Sequence, residues 1–392
     1  MVTRPLPVYL DHNATTPLDE RALEAMLPYL KELFGNPASR THPYGWAAAR
    51  AVDQARQQLA AGVGAQPDEL VFTSGATESC NLAIKGVAWT LANRGRHLVT
   101  CASEHRAVLD SFARLAREGW DVTVLPVDAS GRVTPAQVMA ALRPDTVGVS
   151  IMLANNEVGS IQPVADIAEG CRERGVLFFC DATQAAGKIP VDVAELGTDL
   201  LAFSAHKLYG PKGIGALVVR RRKPRLRLLP LLDGGGHEQG MRSGTLNVAG
   251  IVGFARALEL GLQTLDKEGR RQKTLRDRLR AGILEQLDGV LENGDAAERL
   301  PNTLNLSFAG VDGGALILGA KEIAVSSGSA CSSAEPEPSH VLLAIGRSRP
   351  LASASLRFSL GRSTSDADID VAIASVVRTV GELRARGRWR PA

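Results

Sequence analysis

Seven short apolar runs punctuate the chain between residues 69 and 220, and helix-like stretches separate most of them. They read ELVFT (69–73), HLVTC (97–101), DVTVLPV (121–127), TVGVSIML (146–153), VLFFC (176–180), DLLAF (199–203) and IGALVVR (214–220). Runs of this length, rich in Val, Ile and Phe, fit strands buried on both faces. The stretches between them, such as AIKGVAWTLANR (83–94) and RAVLDSFARLAREG (106–119), carry apolar residues at helical spacing. Strands alternating with amphipathic helices bury both sets of apolar faces by stacking helices on a sheet. The expectation is an α/β fold with a mostly parallel seven-stranded sheet.

From about residue 250 the texture changes to one long helix, IVGFARALELGLQTLDKEGRRQKTLRDRLRAGILEQL, followed by separate strand and helix candidates. A chain of 392 residues suggests two or three domains on a scale of roughly 150 residues each. Residues 15–260 are read as a large domain, and 1–14 with 261–392 as a smaller α+β domain. There is no internal repeat at solenoid periods.

Composition excludes several functions. No apolar run approaches the length that spans a bilayer. The opening MVTRPLPVYLD lacks the positive and then apolar plan of a signal peptide. A net charge of +3 is too slight to imply a nucleic-acid partner. Five cysteines without paired spacing argue against a disulfide framework and for a reducing cytoplasm. No Cys/His spacing suggests a metal site.

In sheets of this kind, functional residues sit where strands end. VFTSGATES carries a strand into Ser74–Thr77 and opens a helix, a turn small enough for backbone N–H groups to approach a phosphate. Many strand–helix turns share that composition. VLFFCDATQ sets Asp181 after a wholly apolar strand, where an unpaired carboxylate is costly, although a cap on the next segment accounts for a single aspartate. FSAHKLYGPKGIG sets Lys207 beside Ser204 and His206 in a Gly-rich turn between two core strands, an odd place for a solvated lysine. His105 follows a third strand, where a first-turn helix residue is the plain alternative. An acid, a lysine and a phosphate cradle on one sheet edge fit pyridoxal phosphate, which needs a covalent lysine, a carboxylate for its pyridine nitrogen and an anion anchor.

Nine motifs occur in one order: YLDHNATTP, FGNPASRTHPYG, TSGATES, NNEVG, DATQ, FSAHKLYGPKGIG, GGGHEQGMRSGT, SSGSACSS and LRFSLGR. In these the chain resembles the cysteine desulfurases of the NifS/IscS kind, within the class-V aminotransferase-like group of pyridoxal-phosphate enzymes, over nearly its whole length. The resemblance implies a fold-type-I transferase. It also implies that Lys207 carries the cofactor, Asp181 pairs with its pyridine nitrogen and Gln184 contacts its phenolic oxygen. His105 would stack on the ring and carry protons. Ala76, Thr77, Ser204 and His206 would bind the phosphate, and Thr245 would reach the phosphate of a neighbouring subunit, which implies a homodimer. Asn156 would reach cofactor or substrate, and Arg357 would pair with the substrate carboxylate, a task suited to a planar guanidinium.

The same resemblance identifies Cys331, in AVSSGSACSSAEPEPS (324–339), as the nucleophile that takes sulfur from L-cysteine as a persulfide. A lone thiol among serines, a glycine and prolines suits a mobile loop that must visit the substrate and then an acceptor. Cys101 and Cys180 end apolar strands and read as core residues; Cys171 lies on an amphipathic helix, and Cys80 has no assigned role. RRRKPRLR (220–227) reads as a solvated edge, and the arginines of RARGRWRPA as free for an acidic partner or idle. The resemblance also implies a longer C-terminal extension that helps dock an iron–sulfur scaffold, whereas this chain stops soon after GELRARGRWRPA; the alternative acceptor is a tRNA-thiolation or other sulfurtransferase partner. Selenocysteine lyase or class-V aminotransferase are the alternative activities; a scaffold without turnover would not need Lys207, His105 and Cys331 together.

Overall fold

The computed structural model describes residues 6–221, 226–327 and 337–387. Its strands in chain order are β1 (Val8–Tyr9), β2 (Leu70–Thr73), β3 (His97–Cys101), β4 (Asp121–Leu125), β5 (Thr146–Ser150), β6 (Leu177–Asp181), β7 (Leu200–Ser204), β8 (Gly215–Val219), β9 (Val290–Asn293), β10 (Thr303–Phe308), β11 (Ile323–Ala324) and β12 (Ser355–Ser359). The seven apolar runs form one sheet in the order β2-β8-β7-β6-β5-β3-β4. All neighbours are parallel except those of β8, which runs against both β7 and β2. Because β2 and β7 both oppose β8, β2 points the same way as the parallel strands. The C-terminal ends of six strands therefore share one edge.

Burial explains the pattern. Every residue of β5, β6 and β7 is buried, as expected of central strands covered on both faces, whereas the edge strand β4 alternates toward solvent. One face packs against helices Pro43–Ala61, Val164–Glu173 and Val248–Gln263, the other against Ala76–Leu91 and Arg106–Arg117. In the last of these, Val108, Ser111, Phe112 and Leu115 form the buried stripe.

A separate cluster joins Leu10 to β10, β12 and the helices Leu265–Leu284 and Asp366–Gly387. Here β9, β10 and β12 make an antiparallel sheet, and β1 lies parallel to β11. The single long helix expected after residue 250 is instead two helices, Val248–Gln263 and Leu265–Leu284, bent by 71°. Leu262 and Leu265 stand on either side of the bend, but Thr264 leaves helical geometry and its hydroxyl donates back to Leu260 O at 3.1 Å. No single described helix is long and apolar enough to cross a membrane.

Candidate active site

A cavity of about 600 Å³ opens where the parallel strands end. Five of its walls are the turns after β2, β3, β5, β6 and β7; Arg357 of β12 and residues 13–15 of the N-terminal arm complete it. Ten of the twelve site residues expected from sequence line this space: Ala76, Thr77, His105, Asn156, Asp181, Gln184, Ser204, His206, Lys207 and Arg357. Thr245 is exposed and does not line it. Cys331 lies outside the described residues, as do residues 222–225 of the basic run and the last five residues of the C-terminal arginine segment.

The cradle after β2 is built from bare backbone. Gly75 caps helix Ala76–Leu91 at φ 150° with no side-chain bond, leaving the first N–H groups of the helix without a side-chain acceptor. Gly215 of β8 presses against it, for a Cβ there would lie 2.7 Å from Gly75 Cα. Ser204 and His206 stand on the neighbouring turn. Burial and then Lys207 lower the His206 ring to about 4, so it meets an anion as a neutral donor or acceptor, with Nδ1 3.2 Å from Thr15 Oγ1.

Asp181 is the last residue of β6 and is buried rather than following the strand into a loop. Its Oδ1 accepts the Thr183 N–H at 2.9 Å, so the turn-capping role does exist. Among the described residues its Oδ2 has only the Cys80 thiol, at 3.7 Å, and stands as an open acceptor on the cavity wall. Cys80, without an assigned role from sequence, is thus a buried donor to Asp181; burial and that carboxylate push its thiol well above the ordinary range. Cys101 and Cys180 are core residues as expected, and Cys171 is buried on the inner face of its helix.

His105 caps helix Arg106–Arg117 with Nδ1, which accepts the Ala107 N–H at 3.1 Å. That bond leaves Nε2 as the nitrogen that exchanges protons. Burial lowers the ring's pKa and Lys207 adds to the effect, so the ring is neutral at neutral pH. Lys207 Nζ donates to the carbonyls of Asn13 and Ala14 at 2.6 and 2.7 Å. Burial first, and then the Arg357 cation, bring its pKa down to about 8.

Gln184 cannot turn its amide around. Its Oε1 accepts from Lys188 Nζ at 2.7 Å while Nε2 donates to Asn13 O at 3.0 Å. Lys188 also donates to Asn13 Oδ1 at 2.9 Å. Arg357 is held by Asp11 Oδ1 at 2.6 Å and by Asn156 O at 3.0 Å, while its buried Nε–H has no acceptor among the described residues. A guanidinium fixed on two sides with a spare N–H suits an incoming carboxylate.

Asp11, Asn13, Ala14 and Lys188 were not singled out from sequence. Three lie inside YLDHNATTP, so the motif itself was the signal; Lys188 had none. Of the C-terminal arginines, Arg384 is neither free nor idle: its Nε donates to Ala309 O at 3.0 Å.

The cavity's donors match pyridoxal phosphate: an amine near its neutral form, an open carboxylate oxygen, a neutral imidazole and an uncapped helix start. Residues 8–371 match the family model described as aminotransferase class-V. The chain is 55% identical over 379 residues to a cysteine desulfurase IscS of Anaeromyxobacter sp. (strain Fw109-5), covering 97% of this chain and 94% of the relative. It superposes on a solved NifS-like protein with a TM-score of 0.89 at 38% identity, covering 96% of this chain and all of that one. It also matches a structure described as SspA in complex with cysteine, with a TM-score of 0.79 at 36% identity, covering 90% and 98%. Its site and these matches together place the chain in the class-V aminotransferase family, among the cysteine desulfurases of the IscS/NifS kind.

Proposed function

We propose that this chain is a pyridoxal-phosphate-dependent cysteine desulfurase that works as a homodimer in a reducing cytoplasm. The observation that carries the reading is that Lys207, Asp181, His105 and Arg357 line one cavity above an uncapped helix start. Relatives named cysteine desulfurase IscS, and a neighbour described as holding cysteine, support L-cysteine as substrate.

The residues divide the work as follows. Pyridoxal phosphate, when bound, withdraws electrons from the Cα of an amino acid. Lys207 would hold it covalently and Asp181 Oδ2 would accept its pyridine N–H. Gln184 Nε2 would donate to its phenolic oxygen, and the His105 ring would cover its face. The backbone of Ala76 and Thr77, with Ser204 and His206, takes the phosphate; Thr245 serves the phosphate of a second copy. Arg357 grips the substrate carboxylate and Asn156 closes on it, while His105 Nε2 or Lys207 moves the proton at Cα.

The Cys331 thiolate then attacks the substrate sulfur. An S–S bond forms as the Cβ–S bond breaks; the electron pair returns to carbon, which takes a proton. L-Alanine leaves and Cys331 keeps a persulfide, so thiol plus cysteine balances persulfide plus alanine. The outer sulfur passes to an acceptor for iron–sulfur cluster assembly or tRNA thiolation.

Purified protein is expected to be yellow, with borohydride fixing the cofactor onto the Lys207 peptide, and Lys207→Ala to abolish attachment and turnover. Cys331→Ala is expected to keep the absorbance change on adding L-cysteine yet release almost no alanine. It should retain turnover of cysteine sulfinate, whose leaving group departs without a thiol. A colourless protein that refuses added pyridoxal phosphate overturns the reading.

A further inference from the structure

Residues 328–336, which include Cys331, are flanked by one segment that bonds Arg357 of the site and another that bonds the chain neighbours of Asn156 and His105. Upstream, Ser326 forms a bridge with Arg357: its carbonyl accepts the Arg357 N–H at 2.7 Å, and its own N–H donates to Arg357 O at 3.3 Å. Downstream, Ser339 begins the helix His340–Ala344, accepting the Leu342 N–H at 3.2 Å. The Ser339 hydroxyl donates its proton to Oε2 of Glu157. His340 Nε2 lies 2.9 Å from the carbonyl of Glu104. Glu157 follows Asn156 and Glu104 precedes His105.

Glu157 is 5% exposed, and its main chain is fixed on both sides. The N–H donates to Asn155 Oδ1 at 2.8 Å, and the carbonyl accepts from Asn305 at 3.2 Å. Around the pair lie Val158, Val341, Leu342, Ile345 and Ala352. A buried carboxyl beside such a cluster is an expensive fastener, and an apolar pair of equal volume would pack as well or better. Burial does push it up to about 7, with Ser339, Arg357 and Arg106 working the other way. A directional bond from a rigid turn to the first residue of a helix fixes position, which an apolar contact does less well.

We propose that Glu157 is a positioning residue for sulfur transfer: by holding Ser339 it fixes where the Cys331-bearing segment re-enters the fold beside the substrate site. This rests on the desulfurase reading above and adds a residue that touches neither substrate nor cofactor. Glu157→Ala is expected to slow alanine release from L-cysteine about tenfold, the scale of one buried hydrogen bond to a carboxylate. The KM for L-cysteine should stay put, because Arg357 is untouched. Turnover of cysteine sulfinate should change by no more than about twofold, since that reaction needs no thiol placement. Glu157→Gln keeps an acceptor oxygen for Ser339 and should restore most of the loss. Ser339→Ala should match Glu157→Ala, and the double variant should be no slower than either.

Equal losses on both substrates overturn the proposal, as do a Gln variant as slow as Ala or single effects that multiply. If Glu157→Ala does not fold, the Gln variant and Ser339→Ala decide the matter by the same comparison. A parent protein that turns over cysteine sulfinate but never L-cysteine would overturn the desulfurase reading, and this inference with it. An active parent whose variants lose nothing overturns this inference alone.

Discussion

An amine held near pH 8 by burial and a neighbouring guanidinium reacts where surface lysines are still protonated. In the cofactor-free protein, Lys207 should therefore acylate with a midpoint near pH 8. The sign follows from the shift: below the midpoint the amine is protonated and its reactivity falls about tenfold per pH unit, while above it the rate levels off. Exposed lysines should go on rising toward about 10.4. Competitive labelling read by mass spectrometry measures both in one sample. Arg357→Gln removes the cation that lowers Lys207 and also frees Asp11, so the midpoint should move up. A Lys207 midpoint indistinguishable from the surface lysines contradicts the electrostatics described here. Asp181 was legible in sequence because a carboxylate after a wholly apolar strand is chemically out of place, Lys207 because it sits in a Gly-rich turn between two core strands, and His105 because it follows a third strand end. Asp11, Asn13 and Lys188 were not, because their residue types are common on surfaces. For Asp11 and Asn13, moreover, the groups that give them meaning lie far along the chain: Lys207 is 194 positions from Asn13, and Arg357 is 346 from Asp11.

At the level of elements, all seven sheet strands were readable as short apolar runs, with Asp121 and Thr123 marking β4 as the edge. Their ends were less so: Asp181 and Ser204 still pair in the ladder, with Ala202 and Gly215, although their side chains already belong to the cavity. The break at Thr264 escaped detection because neither Gly nor Pro stands at it and the polar stretch that follows is rich in helix-forming Lys, Glu and Arg. The contact of β8 with the turn after β2 yields a test. In Gly215→Ala the new Cβ meets the Gly75 backbone at 2.7 and 2.8 Å and Phe203 O at 2.9 Å, all main-chain atoms with no side-chain freedom. Overpacking of this kind costs about 1–3 kcal/mol. The variant should melt earlier than the parent and release pyridoxal phosphate more readily on dialysis, because Gly75 is displaced with the cradle. An unchanged melting curve with unchanged retention would mean that the two turns are not in contact.

Across the whole molecule, large apolar side chains stand in solvent on and after the helix Glu20–Lys31. Leu30 is 58% exposed, Phe34 69%, Tyr44 53% and Trp46 48%. A patch of this kind marks an association surface and fits the proposed homodimer. Phe34→Lys with Leu30→Glu should convert a dimer to monomer in light scattering. It should also weaken phosphate retention, because Thr245 would no longer reach a second copy. A dimer that survives both changes moves the interface elsewhere. The N-terminal arm has a consequence for how such a molecule is made. Its residues pass from the cluster around Leu10 to the large sheet, where the Thr16 N–H donates to His206 O at 2.9 Å. On the way, Asp11 meets Arg357, and Asn13 donates its N–H to Ser359 Oγ at 2.9 Å. The arm is thus tied both to the turn after β7 and to β12. With the strands of the large sheet in place, Asn13, Ala14 and Thr16 already have Gln184, Lys207 and His206 to bond. Asp11 and the Asn13 N–H find their partners only when β12 docks, through contacts 346 positions apart in sequence. The substrate end of the pocket is therefore the last part to assemble, since contacts of such separation form late.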